Sequence, residues 1–368
     1  MFLALSSIVT LFLLASNEAV LAHTHYSHTH HYHRHYHHHH RRNHHAHDHD
    51  HDHSHHSQKQ FHDKAAPSQR IITVDQSGNA DFSKIQSAID SVPSNNKQWI
   101  YINVNAGTYR EKLKIPEDKP YIVLKGMGKD KTFVEWDDHD SSAQSPTFLT
   151  MANDIVVKTI SFRNSFNDPK KGNPMTPAVA AMISGDRSSF YGVGFYSLQD
   201  TLWDFKGRHY FNSCTIEGAM DFIFGAGQSL YESCSISVRE AYPGKAIIGF
   251  ITAQGRMKAD DENGFVFKNC NIHGVGKTYL GRPWRAYARV LFYKTVMSSI
   301  IQPLGWQPWN SSADVGGVEF SEYENMGPGS VLSGRVSWLK KLDSTTLMKM
   351  TSTEFVDHEG WLKTHHML

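Results

Sequence analysis

The sequence lacks most of the features by which hydrolases and extracellular domains usually announce themselves. No Gly-x-Ser-x-Gly segment occurs in its 368 residues, so the elbow that exposes a nucleophilic serine has no carrier. Cysteine is scarce. Cys214, Cys234 and Cys270 are the only three, and none forms a C-x-x-C pair, which leaves neither an even disulfide framework nor a thiolate metal site. Net charge is almost absent: 37 Lys and Arg offset 36 Asp and Glu, a formal charge of +1, so bulk charge argues for neither nucleic acid nor a membrane surface as partner. Beyond the first 22 residues, no run is apolar enough to span a bilayer.

That first run, residues 1–22, is short, apolar and closes on Val20-Leu21-Ala22. It lacks a basic n-region, yet its length and ending fit a cleaved signal peptide, and the mature protein is expected to be secreted and soluble. Residues 23–66 are almost devoid of aliphatic side chains, and 20 of the 26 histidines fall within 23–62. Such a segment cannot build a core and is expected to be disordered. Its histidines have no fixed ligand spacing, so a solvated tail is expected rather than a dedicated metal site, and no cofactor is implied.

What the remainder does have is a period. Val193-Gly194-Phe195, Cys214-Thr215-Ile216 and Cys234-Ser235-Ile236 are look-alike strands whose first residues lie 21 and then 20 positions apart. Such repetition predicts stacked coils, with equivalent residues about 4.8 Å apart if the strands are parallel. Alternation extends the series to 69–74, 99–104, 121–124, 155–157, 160–162, 265–272 and 289–293. The three cysteines share one strand phase and are expected as small buried side chains stacked inside the coil. Phe82, Ile85, Ala88, Ile89 and Val92 recur at helical spacing between a candidate N-cap, Asp81, and Pro93, predicting a helix that closes one end of the stack. Thr353-Glu354-Phe355 is expected to open a second short helix that packs Phe355 and Trp361 back on the stack. Residues 67–368 are therefore assigned to one domain.

Asp200 and Asp221 are separated by one such period. Aspartates at strand ends are usually solvated turn residues, but these two stand beside Leu198, Leu202 and Phe222-Ile223-Phe224. Burying an unpaired carboxylate is costly, so the position needs a partner or a purpose. Side by side, two carboxylates resist ionising together: one keeps a proton while the other carries charge. That pairing supplies an acid and a nucleophile.

Four separated segments, Gly107-Thr108-Tyr109-Arg110-Glu111, Gln199-Asp200-Thr201-Leu202, Gly218-Ala219-Met220-Asp221-Phe222-Ile223-Phe224-Gly225 and Leu280-Gly281-Arg282-Pro283-Trp284, occur in the order of the pectin methylesterase (pectinesterase) family. From about Ile71 to its end the chain resembles the plant members that lack an inhibitor-like pro-domain. The resemblance implies a right-handed parallel β-helix and hydrolysis of methyl esters in cell-wall pectin, with methanol as product. It further implies a monomer in the apoplast and a proteinaceous pectinesterase inhibitor as partner. Asp221 would be the nucleophile, Asp200 the acid and then base, Gln199 the oxyanion donor, and Arg282 the partner of Asp221. Trp284 would stack on a sugar ring, with Trp203, Phe224 and Trp306 as further members of an aromatic wall, although core packing is an equal alternative for Phe224. Tyr109 and Glu111 would serve structure near the groove entrance.

One departure stands out. Where the family carries Gln-Ala-Val-Ala-Leu-Arg, this chain has Pro177-Ala178-Val179-Ala180-Ala181-Met182, and proline offers neither a side-chain amide nor a backbone N–H. Two rivals follow: a glycosidase or lyase acting on the polygalacturonate backbone, and a pectin-binding wall protein with impaired catalysis. The Asn-Thr-Asp and Gly-His-Gly motifs of polygalacturonases are absent, and Pro177 alone favours the second. Asn310-Ser311-Ser312 is a glycosylation sequon.

Overall fold

The computed structural model describes residues 70–139, 141–168, 171–240 and 248–368; the expected signal peptide and histidine-rich tail lie outside them. The described chain winds into a right-handed parallel β-helix of three sheets, with ten, seven and eight strands. Every pairing between successive coils is parallel. One coil runs Arg208–Asn212 in the ten-stranded sheet, Thr215–Gly218 in the eight-stranded sheet and Ile223–Gly225 in the seven-stranded sheet. Gly194 pairs with Thr215, and Thr215 with Ser235, so the look-alike strands are consecutive rungs, as the period predicts.

The period belongs to a corner. Ser213, Ser233 and Asn269 take left-handed φ values of 55°, 56° and 55°, and each turns the chain from the ten-stranded to the eight-stranded sheet. Cys214, Cys234 and Cys270 follow at once, all buried and free, and burial pushes the Cys214 and Cys234 thiols upward. The same corner corrects the single strand expected over 265–272. Asn269 divides it into Gly264–Lys268 and Asn271–Gly274, because one left-handed residue ends the extended conformation.

Inside the coils, Phe190, Phe211, Tyr231, Phe267 and Phe292 stack in register with ring centroids 4.8, 4.5, 4.6 and 4.6 Å apart. These distances match the strand spacing, so each new coil extends the pile at no cost in geometry. Such pairs contribute roughly 0.5–1.5 kcal/mol each beyond their buried area.

The N-terminal helix is Ile85–Asp90, shorter than expected, with Lys84 rather than Asp81 at its N-cap. Asp81 is diverted to the Thr73 N–H and hydroxyl, each at 2.7 Å. The free helix N–H groups of Ile85 and Gln86 donate instead to the Glu111 carboxylate, which gives Glu111 its structural role. At the other end of the chain, Phe355, Trp361 and Leu362 cover Tyr210, Leu230, Val266 and Leu291. That packing matches the expectation for Phe355 and Trp361, and the seven-stranded sheet keeps an outer face of its own.

Candidate active site

Along that outer face one row of side chains runs from coil to coil: Lys114, Leu149, Met182, Trp203, Phe224, Ala253 and Arg282 are successive register partners. A cavity of about 540 Å³ lies at the Lys114 end, against Lys112, Gln144, Pro146 and Leu149. Immediately before two of the strands, the chain bends at Asp200 (φ 61°) and Asp221 (φ 46°). Aspartate tolerates this left-handed region better than most residues. Gln199 bridges Met220 in parallel, and the Asp200 N–H donates to the Met220 carbonyl at 3.1 Å. The two aspartates therefore occupy equivalent corners of adjacent coils, as their spacing predicts.

Their surroundings differ. Asp221 is 8% exposed and receives two guanidinium bonds from Arg282, Nε to Oδ1 at 2.9 Å and Nη2 to Oδ2. Arg282 in turn packs over the rings of Phe250 and Trp309, 4.3 and 4.2 Å from their centroids. Asp200 has no such partner. Burial, and then the charge of Asp221, push its carboxyl up to about 8, against the opposing pull of a Ser142 hydroxyl bond at 3.1 Å and of Arg282. Burial and the Asp221 charge both favour the protonated form of Asp200.

Gln199 uses its carbonyl to accept from the Ala178 N–H at 3.2 Å, and among the described residues nothing engages its side-chain amide. Pro177 is buried on the preceding coil and brings no donor. Trp203 and Phe224 stack 5.2 Å apart, Trp284 meets Phe224 edge-on at 6.1 Å, and Phe205, Met182 and Trp309 pack on the same cluster. Three of the four expected aromatic residues are thus brought together.

The fourth is corrected. Trp306 is fully buried inside the helix against Phe292 and Phe320. Its indole N–H donates to Glu322 at 2.9 Å, a carboxylate that Arg335 grips with two nitrogens. A buried indole needs such a partner, and here the partner lies in the core. Sequence reasoning missed Ser142, Phe250 and Trp309: the first is a loop serine 58 residues from its contact, and the others lie outside the four motifs. Among the described residues, no cluster of His, Cys, Asp and Glu has a metal-holding arrangement.

Comparison with known proteins places this geometry in a family. The pectinesterase family profile matches residues 71–360. Probable pectinesterase 29 of Arabidopsis thaliana is 52% identical over 299 residues, covering 80% of this chain and 89% of that one. Probable pectinesterase 55 of the same plant is 53% identical over 296 residues, covering 79% and 90%. Among solved structures, the pectin methylesterase from carrot superposes with a TM-score of 0.76 at 28% identity, covering 82% of this chain and 98% of its own. The deglycosylated pectin methylesterase of Aspergillus niger gives 0.69 at 28% identity, covering 81% and 97%. On this profile match and these identities, the chain belongs to the pectinesterase family of carboxylic ester hydrolases.

Proposed function

We propose that the protein removes methyl esters from the polygalacturonate of plant pectin, releasing methanol and leaving free carboxylates, with Asp221 as nucleophile and Asp200 as acid and base. The observation that carries this reading is the asymmetry of the pair. Asp221 is clamped by a guanidinium, while Asp200 is pushed toward protonation by burial and by its neighbour. An Asp221 oxygen attacks the ester carbonyl carbon, and the amide of Gln199 donates to the oxyanion that forms. Asp200 passes its proton to the departing methoxy oxygen. Methanol leaves, and the acyl group remains on Asp221 as an anhydride. Asp200, now a carboxylate, takes a proton from water as that water attacks the anhydride carbonyl. The acid product and the Asp221 carboxylate separate, and Asp200 is protonated for the next cycle. Trp284, partly exposed, supplies an apolar face for a sugar ring, backed by the largely buried Trp203 and Phe224.

The backbone-cleaving rival needs a different spacing. An inverting glycosidase holds its carboxyls roughly 6.5–9.5 Å apart to admit water, whereas equivalent positions on adjacent parallel strands lie about 4.8 Å apart. Methanol release from methylated pectin without new reducing ends tests the reading. New reducing ends with no methanol would overturn it. The wider setting is inferred from the apolar N-terminal run and the plant relatives: residues 1–22 are removed on secretion, 23–66 form the histidine-rich tail, and 67–368 work as a monomer in the cell wall, open to a proteinaceous inhibitor.

A further inference from the structure

Between strand Thr132–Trp136 and strand Phe148–Thr150 the connecting residues are held at Asp137, Asp138, Gln144 and Ser145. Arg110 binds Asp137 at 2.7 Å, and Lys112 binds Asp138 at 2.5 Å and the Gln144 carbonyl. The Asn164 amide donates to the carbonyls of Asp138 and Ser145, and Ser145 Oγ accepts from the Val179 N–H at 3.1 Å. In the middle of this anchored loop, Ser142 Oγ donates to Asp200 Oδ2 at 3.1 Å. It is the one side-chain hydrogen bond to Asp200 among the described residues. The coil that precedes Asp200 cannot supply an equivalent, since its buried segment Pro177-Ala178-Val179 carries no polar side chain.

We propose that Ser142 is a positioning residue for the acid–base step: its hydroxyl occupies Oδ2 of Asp200, so that Oδ1 carries the proton to methoxide and takes it back from water. This rests on the reading of Asp200 and Asp221 given above. A neutral carboxyl has two candidate oxygens for its proton, and a proton on the oxygen facing the loop would be misdirected. A donor fixed on Oδ2 settles the choice and orients the carboxyl plane. The same bond stabilises the Asp200 carboxylate that remains once methanol has left, because a hydroxyl favours the charged acceptor. Ser142 therefore assists both half-reactions without touching the ester.

The arrangement predicts an effect on pH dependence as well as on rate. Asp200 faces Asp221 and burial, which favour its neutral form, and Ser142 and Arg282, which favour its charged form. Deleting the hydroxyl leaves the first two less opposed. The alkaline limb of kcat/KM in Ser142→Ala is then expected to move up by about one pH unit, the worth of one hydrogen bond to a charged group. Turnover at the optimum should fall roughly tenfold. Ser142→Gly should show the same shift if the alanine variant is poorly behaved, and Ser142→Thr, which keeps a hydroxyl, should restore the wild-type limb. Methanol release by the full mature protein across pH 5–10 is the measurement, with thermal unfolding to verify folding. An alkaline limb unmoved in both the alanine and glycine variants, or moved equally in the threonine variant, overturns the proposal. A purely structural loop would lower activity evenly at every pH. Wild-type protein that releases no methanol, or Asp221→Asn that retains turnover, would instead overturn the underlying reading.

Discussion

Arg282 reaches Asp221 from two coils away, and its guanidinium packs on the rings of Phe250, on the intervening coil, and Trp309. Both aromatic contacts and both hydrogen bonds depend on a planar fork, which lysine does not have. The backbone also has to come close at this point: a Cβ on Gly281 would lie 1.9 Å from Thr252 Oγ1. Arg282→Lys keeps the charge and loses the geometry. Its kcat for methanol release is expected to fall at least about tenfold with a smaller change in KM, since the fork orients Asp221, the proposed nucleophile, rather than the sugar. A near-normal kcat would mean that charge alone suffices.

Removing the proposed nucleophile should be far more severe. Asp221→Asn is expected to lower kcat by roughly 10³-fold or more, as losing a covalent nucleophile does elsewhere, while circular dichroism and thermal unfolding report an intact stack. The substitution also deletes the negative charge that helps raise the Asp200 carboxyl. Residual turnover near the wild-type level would remove Asp221 from its role.

Asp200, the proposed acid and base, should reveal itself in stability. The Asp200 carboxyl is raised from 3.8 to about 8 in the folded protein, so between those values the native state holds a proton that the unfolded chain has released. Stability owed to this group is full below about pH 4 and is lost as pH rises toward 8, by on the order of 1 kcal/mol per unit. Asp200→Asn cannot titrate. Its melting temperature relative to wild type should therefore climb between pH 4 and 8 and level off above, while activity collapses. A difference independent of pH would mean that Asp200 is not raised.

Much of this arrangement was legible in the chain because the β-helix writes its geometry as a period. The spacing of Asp200 and Asp221 gave their adjacency directly, and the phase of Cys214, Cys234 and Cys270 gave their burial. Periodicity fails at corners, where a single left-handed residue such as Asn269 changes sheets without any change of composition. It fails again for contacts made by loops, so that Ser142 had no signal. Trp306 was misplaced for a related reason: motif proximity does not say whether a side chain points into the core or toward the groove. Its full burial, its ring contacts with Phe292 and Phe320 and its bond to the buried Glu322 settle the inward direction.

Pro177 offers a test of how complete the proposed oxyanion site is. It lies buried on the coil before Gln199, where the family carries a glutamine, and one missing oxyanion donor costs roughly a hundredfold in rate when nothing replaces it. Pro177→Gln is expected to raise kcat in methanol release with KM little changed. An unchanged or lower rate in a folded variant would show that another group fills the role.

The C-terminal helix, Trp361–Met367, should make the fold sensitive to acid at a distance from the active site. His365 is 1% exposed, lies edge-on to Trp99 and Trp361, and pairs its Nδ1 with Ser189 Oγ at 2.8 Å, while its buried Nε2 has no partner among the described residues. Burial first, and then the positive charges of Arg187, His366 and Lys158, hold the imidazole down to about 3. The unfolded chain takes up a proton below about 6.5 that the native state refuses. Stability from this group is therefore full above pH 6.5 and declines as pH falls toward 3, at about 1.4 kcal/mol per unit at most. His365→Gln, which can keep a bond to Ser189 but cannot titrate, should melt lower than wild type at pH 7.5 through lost packing and lose less on acidification to pH 4.5. Hydrogen exchange in residues 361–367 should accelerate in wild type over the same range, because the helix can detach without opening the coils beneath it. If wild type and His365→Gln lose stability in parallel between pH 6.5 and 4.5, the acid sensitivity belongs to other groups and the C-terminal helix is held by packing alone.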